Sequence, residues 1–212
     1  MSAFLGPIHY WLYNKIQHQQ SLVDQVIAFG KEKYSLSLEE TCNEKYGLTE
    51  RRSLEEVIDE SNIHGWLQIQ VSRVEYKLAY CTTELLKQEG MQLEELKAIF
   101  YKQGVEKRKT LEKGLNAVQL FKVIQDTLLN GMPCDHAEVV VEQDDNQIVW
   151  QRRVCVHEKY WDEVGGNVRN YYALIEAWLK GFIEEGQESF IKEAFDTNWI
   201  APLGPNVNNF EK

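Results

Sequence analysis

In this 212-residue chain, only the stretch from Cys134 to His157 alternates as a sheet does; nearly all of the rest carries helical spacing. That contrast narrows the fold to the α+β class, mainly α-helical. A lone hairpin is marginal in water, so helices must cover its apolar face. Two runs, Val139-Val140-Val141 and Ile148-Val149-Trp150, flank Asp144-Asp145-Asn146, a polar cluster with turn chemistry. A two-residue turn at Asp145-Asn146 sets Asp144 opposite Gln147, Val141 opposite Trp150 and Glu138 opposite Arg153. Ala137, Val139 and Val141 then share a face with Ile148, Trp150, Val154 and Val156 that is apolar apart from Arg152. The other face carries Cys134, His136, Glu138, Arg153, Cys155 and His157, with Cys134 opposite His157 and His136 opposite Cys155.

That second face is where chemistry would gather. Residues i and i+2 of a strand point the same way, so each Cys-x-His sets a thiol beside an imidazole. Two such pairs on neighbouring strands make a Cys2His2 set suited to zinc, with Cys134, His136, Cys155 and His157 as ligands. The same groups suit a thiol nucleophile, with His136 or His157 taking the proton of Cys134 or Cys155. The competing reading is two semi-buried thiols and two surface histidines.

The helices follow in order. Trp11, Leu12, Ile16, Leu22, Val23, Val26 and Ile27 place helix over 8–33, as one piece or broken near Gln20. Ser37-x-x-Glu40 and Ser53-x-x-Glu56 fit capping boxes that open two short helices. From Asn62 to Gln88 the seam Ile63, Leu67, Val71, Val74, Leu78, Cys81, Leu85 alternates steps of four and three, as a bundle helix needs. Two further helices are predicted over 92–103 and 107–129, and Gly131 and Pro133 then lead into the hairpin. Beyond it, a helical turn over 158–164 precedes a long helix over 168–185 capped by Asn167, which is predicted to cover the hairpin. A short helix over 187–195 and an irregular tail close the chain. The whole reads as one domain, helical over 1–130, with a hairpin over 131–157, helices over 158–196 and the tail over 197–212. Any further strands would come from a partner subunit.

An internal echo runs through the first half. Ile8-His9-x-Trp11-Leu12 recurs as Ile63-His64-x-Trp66-Leu67, Leu38-Glu39-Glu40 as Leu93-Glu94-Glu95, and Tyr46 as Tyr101. With a slip of two, Arg52-Ser53-Leu54-Glu55 parallels Lys109-Thr110-Leu111-Glu112. The pattern suggests a tandem helical duplication of about 8–60 and 63–115. It also places His9 and His64 alike, each near a Trp, so His9, Trp11, His64 and Trp66 form a second candidate site, a small-ligand pocket with aromatic walls.

Composition removes some functions. A net charge of −10 opposes a sequence-independent grip on nucleic acid or on an anionic membrane. The basic run Lys107-Arg108-Lys109 is flanked by Glu106 and Glu112 and reads as a solvated helix end. The start lacks a basic leader and no run is long enough to span a membrane, so a cytoplasmic protein with reduced cysteines is expected. No Walker, dinucleotide, Gly-x-Ser-x-Gly or His-Glu-x-x-His motif is present. Three readings remain: a small-molecule-binding protein or enzyme with a pocket between helices and hairpin, a zinc protein, or a non-catalytic interaction module. Homo-oligomers through the hairpin edge or exposed aromatics would suit the last.

Overall fold

The computed structural model describes residues 4–144, 146–184, 186, 188–193 and 197–202. The fold is α+β and mainly helical, as predicted. Its helices are α1 (Pro7–Tyr34), α2 (Leu38–Tyr46), α3 (Leu54–Val57), α4 (Ile63–Leu86), α5 (Leu93–Lys109), α6 (Ala117–Thr127), α7 (Glu158–Glu163) and α8 (Val168–Glu184). Its strands are β1 (Glu138–Gln143), β2 (Ile148–Arg152), β3 (Glu188–Glu193) and β4 (Thr197–Pro202).

Helix α1 is one unbroken helix, with Gln20 buried and donating to Asp24 across one turn. It packs against α4, whose seam from Ile63 to Leu85 is buried at every predicted position. Asn62 caps α4 by accepting from Gly65 N, and Glu56 reaches back to Ser53 at the start of α3. The boundary between the next two helices lies elsewhere than expected. Helix α5 continues to Lys109 and α6 begins at Ala117, where Asn116 and Gln119 cap each other. Gly104 does not break α5, because there it serves packing. A Cβ at Gly104 would lie 2.1 Å from Trp178 O, and one at Gly181 would lie 2.0 Å from Tyr101 O. The backbones of α5 and α8 therefore touch through paired glycines. Arg108 is not a solvated end either. It pairs with Glu188 of β3 at 3.3 Å, with only 10% of its side chain exposed.

The sheet corrects the account of the C-terminus. Residues 188–193 are strand where a short helix was expected, and 197–202 pair as strand where an irregular tail was expected; 203–212 lie outside the described residues. The order is β1-β2-β4-β3, antiparallel throughout. Strand β4 of the same chain fills the second edge of β2, the place where a partner's strand was expected. Pairing decided the outcome: β2 has a row of backbone groups to satisfy, β4 meets them, and β3 in turn meets the far edge of β4, which overrides weak local propensity in Ser-Phe-Ile-Lys. Ile148, Val149 and Trp150 of β2 are all buried, and Trp150 lies between Phe121 of α6 and Phe190 of β3.

The hairpin register holds near the turn and fails below it. Gln143 faces Ile148 and Glu142 faces Val149 as predicted, and Asp144 N donates to Gln147 O; Asp145 lies outside the described residues. Val141 is then an extra residue, a bulge, so Val140 faces Trp150 and Glu138 faces Arg152 instead of Arg153. Val140 and Val141 sit on the outer strand, 39% and 49% exposed.

The 55-residue echo coincides with helix starts twice: α1 with α4 at Ile8 and Ile63, and α2 with α5 at Leu38 and Leu93. The third correspondence does not, since Ser53 opens α3 whereas Thr110 ends α5.

Candidate functional site

The bulge, together with the end of β2 at Arg152, scatters the expected Cys2His2 face. Cys134 lies exposed in a 3₁₀ turn, Pro133–Asp135, and His136 follows exposed with φ +48°. Cys155 is half-buried in the loop after β2, where its sulfur accepts from Tyr172 Oη at 3.0 Å. His157 is buried at the start of α7. Among the described residues no group of three or more His, Cys, Asp or Glu is arranged to hold a metal ion. The four predicted ligands therefore do not converge.

The second predicted site divides into separate local contacts. His9 Nδ1 accepts from Gly6 N at 2.9 Å, an end cap for α1, and His64 is exposed on the first turn of α4. Trp11 donates to Asp126 and carries Lys15 Nζ 4.0 Å over its ring, while Trp66 packs beside Tyr13. Both tryptophans lie against the smaller apolar core formed by Leu12, Ile16, Leu67 and Val71.

What the fold does assemble is a buried polar network under the hairpin. Helix α7 lies on α4, and Gly165 (φ +70°) turns the chain out of it. Gly166 follows where a Cβ would sit 2.4 Å from Thr83 Oγ1, so only glycine lets this linker lie so close to α4. The result sets His157 against Glu75, Nδ1 to Oε2 2.9 Å, with both residues 1% exposed. His157 Nε2 lies 3.3 Å from Asn130 Oδ1, and the ring stacks on Tyr171 at 3.8 Å. Tyr171 donates to Leu129 O. Glu138, first residue of β1, accepts from Gln125 Nε2 at 2.7 Å and from Asn130. Arg152 lies 3.7 Å over the Tyr172 ring.

His157 is thus held on both sides of its ring, Nδ1 by the Glu75 carboxyl and Nε2 by the Asn130 side-chain oxygen. A proton between Nδ1 and the carboxyl joins the pair, and such pairing is what makes the burial of both groups tolerable.

The network lines a cavity of about 70 Å³ between α6, α8 and the hairpin. Ile124, Leu128, Ile175, Leu179 and Trp150 supply its apolar wall; Glu138, Asn130, His157, Tyr171, Tyr172 and Arg152 supply its polar one. The stem of Glu138 runs along the half-exposed outer strand, but its carboxyl turns inward. Burial pushes that carboxyl above its ordinary range, against the pull of the Gln125 bond and the Lys15 charge. Burial also lowers Lys15 to about 8. Tyr171 and Tyr172 are pushed up by burial and remain neutral phenols.

Sequence reasoning did not single out Glu75, Asn130, Gln125 or the two tyrosines as site residues. Glu75 did leave a signal: it falls four residues after Val71 and three before Leu78, a carboxylate on a helix's core-facing stripe. Tyr171 and Tyr172 are indistinguishable in sequence from core aromatics. No family model, curated protein or solved structure matches the chain. No helix among the described residues is long and apolar enough to cross a membrane.

Proposed function

We propose that the protein binds a small molecule in the cavity between α6, α8 and the hairpin, and that Glu138, Asn130 and the Glu75–His157 pair orient it. One observation carries this reading: a carboxyl, an amide and an imidazole, Glu138, Asn130 and His157, line one wall of a cavity whose other wall is apolar, and buried Glu75 holds the imidazole from behind. Burying such groups costs several kcal/mol that an apolar core would avoid. A raised carboxyl in a concave, aromatic-walled site is the usual mark of function. The volume is several times the roughly 10–15 Å³ that one water needs on the same measure, which is room for a small molecule. The favoured ligand is therefore a compact, partly apolar molecule with one or two polar groups. A bound ligand that exchanges a proton would meet it at the Glu75–His157 pair, where the carboxyl orients the ring.

A thermal-shift screen of small heterocycles, carboxamides and phenols tests this on the parent protein, Glu138→Gln and Tyr172→Phe. Hits should raise the parent's Tm in a dose-dependent way and do so less in both variants. Hits that stabilise all three proteins equally would place binding elsewhere and overturn the reading.

A further inference from the structure

We propose that Cys42 and Cys81 form an oxidisable dithiol that a hydroperoxide converts to an intramolecular disulfide. The site is independent of the cavity described above. Cys42 lies on α2 and Cys81 on α4, both fully buried, and their sulfurs are 2.9 Å apart. A disulfide needs the two sulfurs at about 2.05 Å, so closure asks the sulfurs to approach by under an ångström. Core cysteines that serve only as small apolar side chains have no reason to face each other sulfur to sulfur.

The surroundings give the two sulfurs different tasks. Lys77 lies one turn before Cys81 on α4, its ammonium held by Asn43 Oδ1 at 2.7 Å and Thr49 Oγ1 at 3.0 Å. The bond from Cys81 pushes the Cys42 thiol down, and the charges of Lys77 and Lys45 add to that. The same bond and burial push Cys81 well up. Lys45 lies one turn after Cys42 on α2 and acts on that sulfur alone, and Cys42 is on the short helix through which an oxidant enters, so Cys42 is assigned as the attacking thiolate and Cys81 as the resolving thiol. In the first step the Cys42 sulfur attacks one peroxide oxygen and the O–O bond breaks. Cys42 becomes a sulfenic acid, and the departing alkoxide or hydroxide takes up a proton. In the second, Cys81 sulfur attacks the Cys42 sulfur, the S–O bond breaks and water leaves with the Cys81 proton. The two thiols lose two electrons in all, and the peroxide is reduced to water and an alcohol, or to two waters.

Access runs through α2, a nine-residue helix that ends at Gly47 (φ +83°) and is covered by the stack of Tyr46 on Tyr76 at 5.1 Å. Local opening of so short an element admits a small oxidant while excluding bulky reagents.

Peptide mapping of the full chain decides the matter. The reduced protein is treated with increasing hydrogen peroxide, denatured, alkylated with N-ethylmaleimide and digested. The expected result is a Cys42–Cys81 linked peptide pair that appears at a peroxide dose leaving Cys155 alkylatable, and that dithiothreitol reverses. In Cys81→Ser, dimedone should label Cys42; in Cys42→Ser, Cys81 should stay a free thiol at that dose. If Cys42 and Cys81 both remain alkylatable at a dose that has already consumed the exposed Cys134, the proposal is overturned. The parent map stands as the test even where a variant fails to fold.

Discussion

Helix α4 buries an acid and a base two residues apart, Glu75 and Lys77, and accommodates them in opposite ways. Lys77 turns to α2 and the loop after it, where Asn43 and Thr49, two neutral oxygens, take its protons, and Thr49 in turn donates to Gln20. Glu75 turns to α7. One of its oxygens meets His157, while the other, Oε1, has no hydrogen-bond partner among the described residues. Leaving a buried carboxylate oxygen unmet costs free energy that selection for stability alone would remove. The Lys77 side reads as finished structure, and the Glu75 side as a site that waits for something.

The largest effect should come from the unfinished side. Glu75→Ala strands His157 in the core and should cost about 3–5 kcal/mol in urea denaturation, whereas Glu75→Gln keeps an acceptor for the ring and should recover part of that. Lys77→Met removes a charge along with its partners' donor, and about 1–2 kcal/mol is expected. If Lys77→Met proves the costlier of the two, the contrast between the sides collapses.

A half-buried histidine sharpens the picture through pH. His18 on α1 packs edge-on against Trp178, and burial, with Lys107 nearby, lowers it from 6.5 to about 4. A depressed folded value means stability that is present above about pH 6.5 and lost as pH falls through about 4. His18→Phe should therefore flatten that acid limb; an unchanged limb in the variant would assign the loss to other groups. The smallest effect is expected at Glu138. Its raised folded value gives stability that is fully present below the ordinary 4.5 and lost as pH rises through the folded value. Glu138→Gln should then match the parent at low pH and exceed it slightly near neutrality, by under about 1 kcal/mol given its half-exposed strand.

Legibility in the sequence followed periodicity. The α4 seam and the α8 boundaries could be read because burial on one stripe imposes a repeat of 3.6 that few other arrangements produce. Strand β4 could not, because its reason for being strand is β2's open edge, a partner distant in sequence, and β3 is strand because it pairs with β4. The break expected between 103 and 107 is absent for a similar reason: Gly104 is set by Trp178 across a helix pair, which no local signal carries. The four residues of the predicted zinc face lie apart because the bulge at Val141 changes the pairing below it and because both strands end before reaching them. His157 was nonetheless picked out and does lie at the centre of the candidate site, but with Glu75 and Asn130 as neighbours instead of a second Cys-x-His.

The most direct measurement is an isoleucine-methyl NMR titration with the best hit from the thermal screen. Ile124 and Ile175 line the cavity, and Ile16 and Ile63 belong to the smaller core on the far part of α1 and α4. The account predicts saturable shifts at Ile124 and Ile175, with Ile16 and Ile63 unmoved. Saturable binding that shifts Ile16 and Ile63 and leaves Ile124 and Ile175 in place would contradict it.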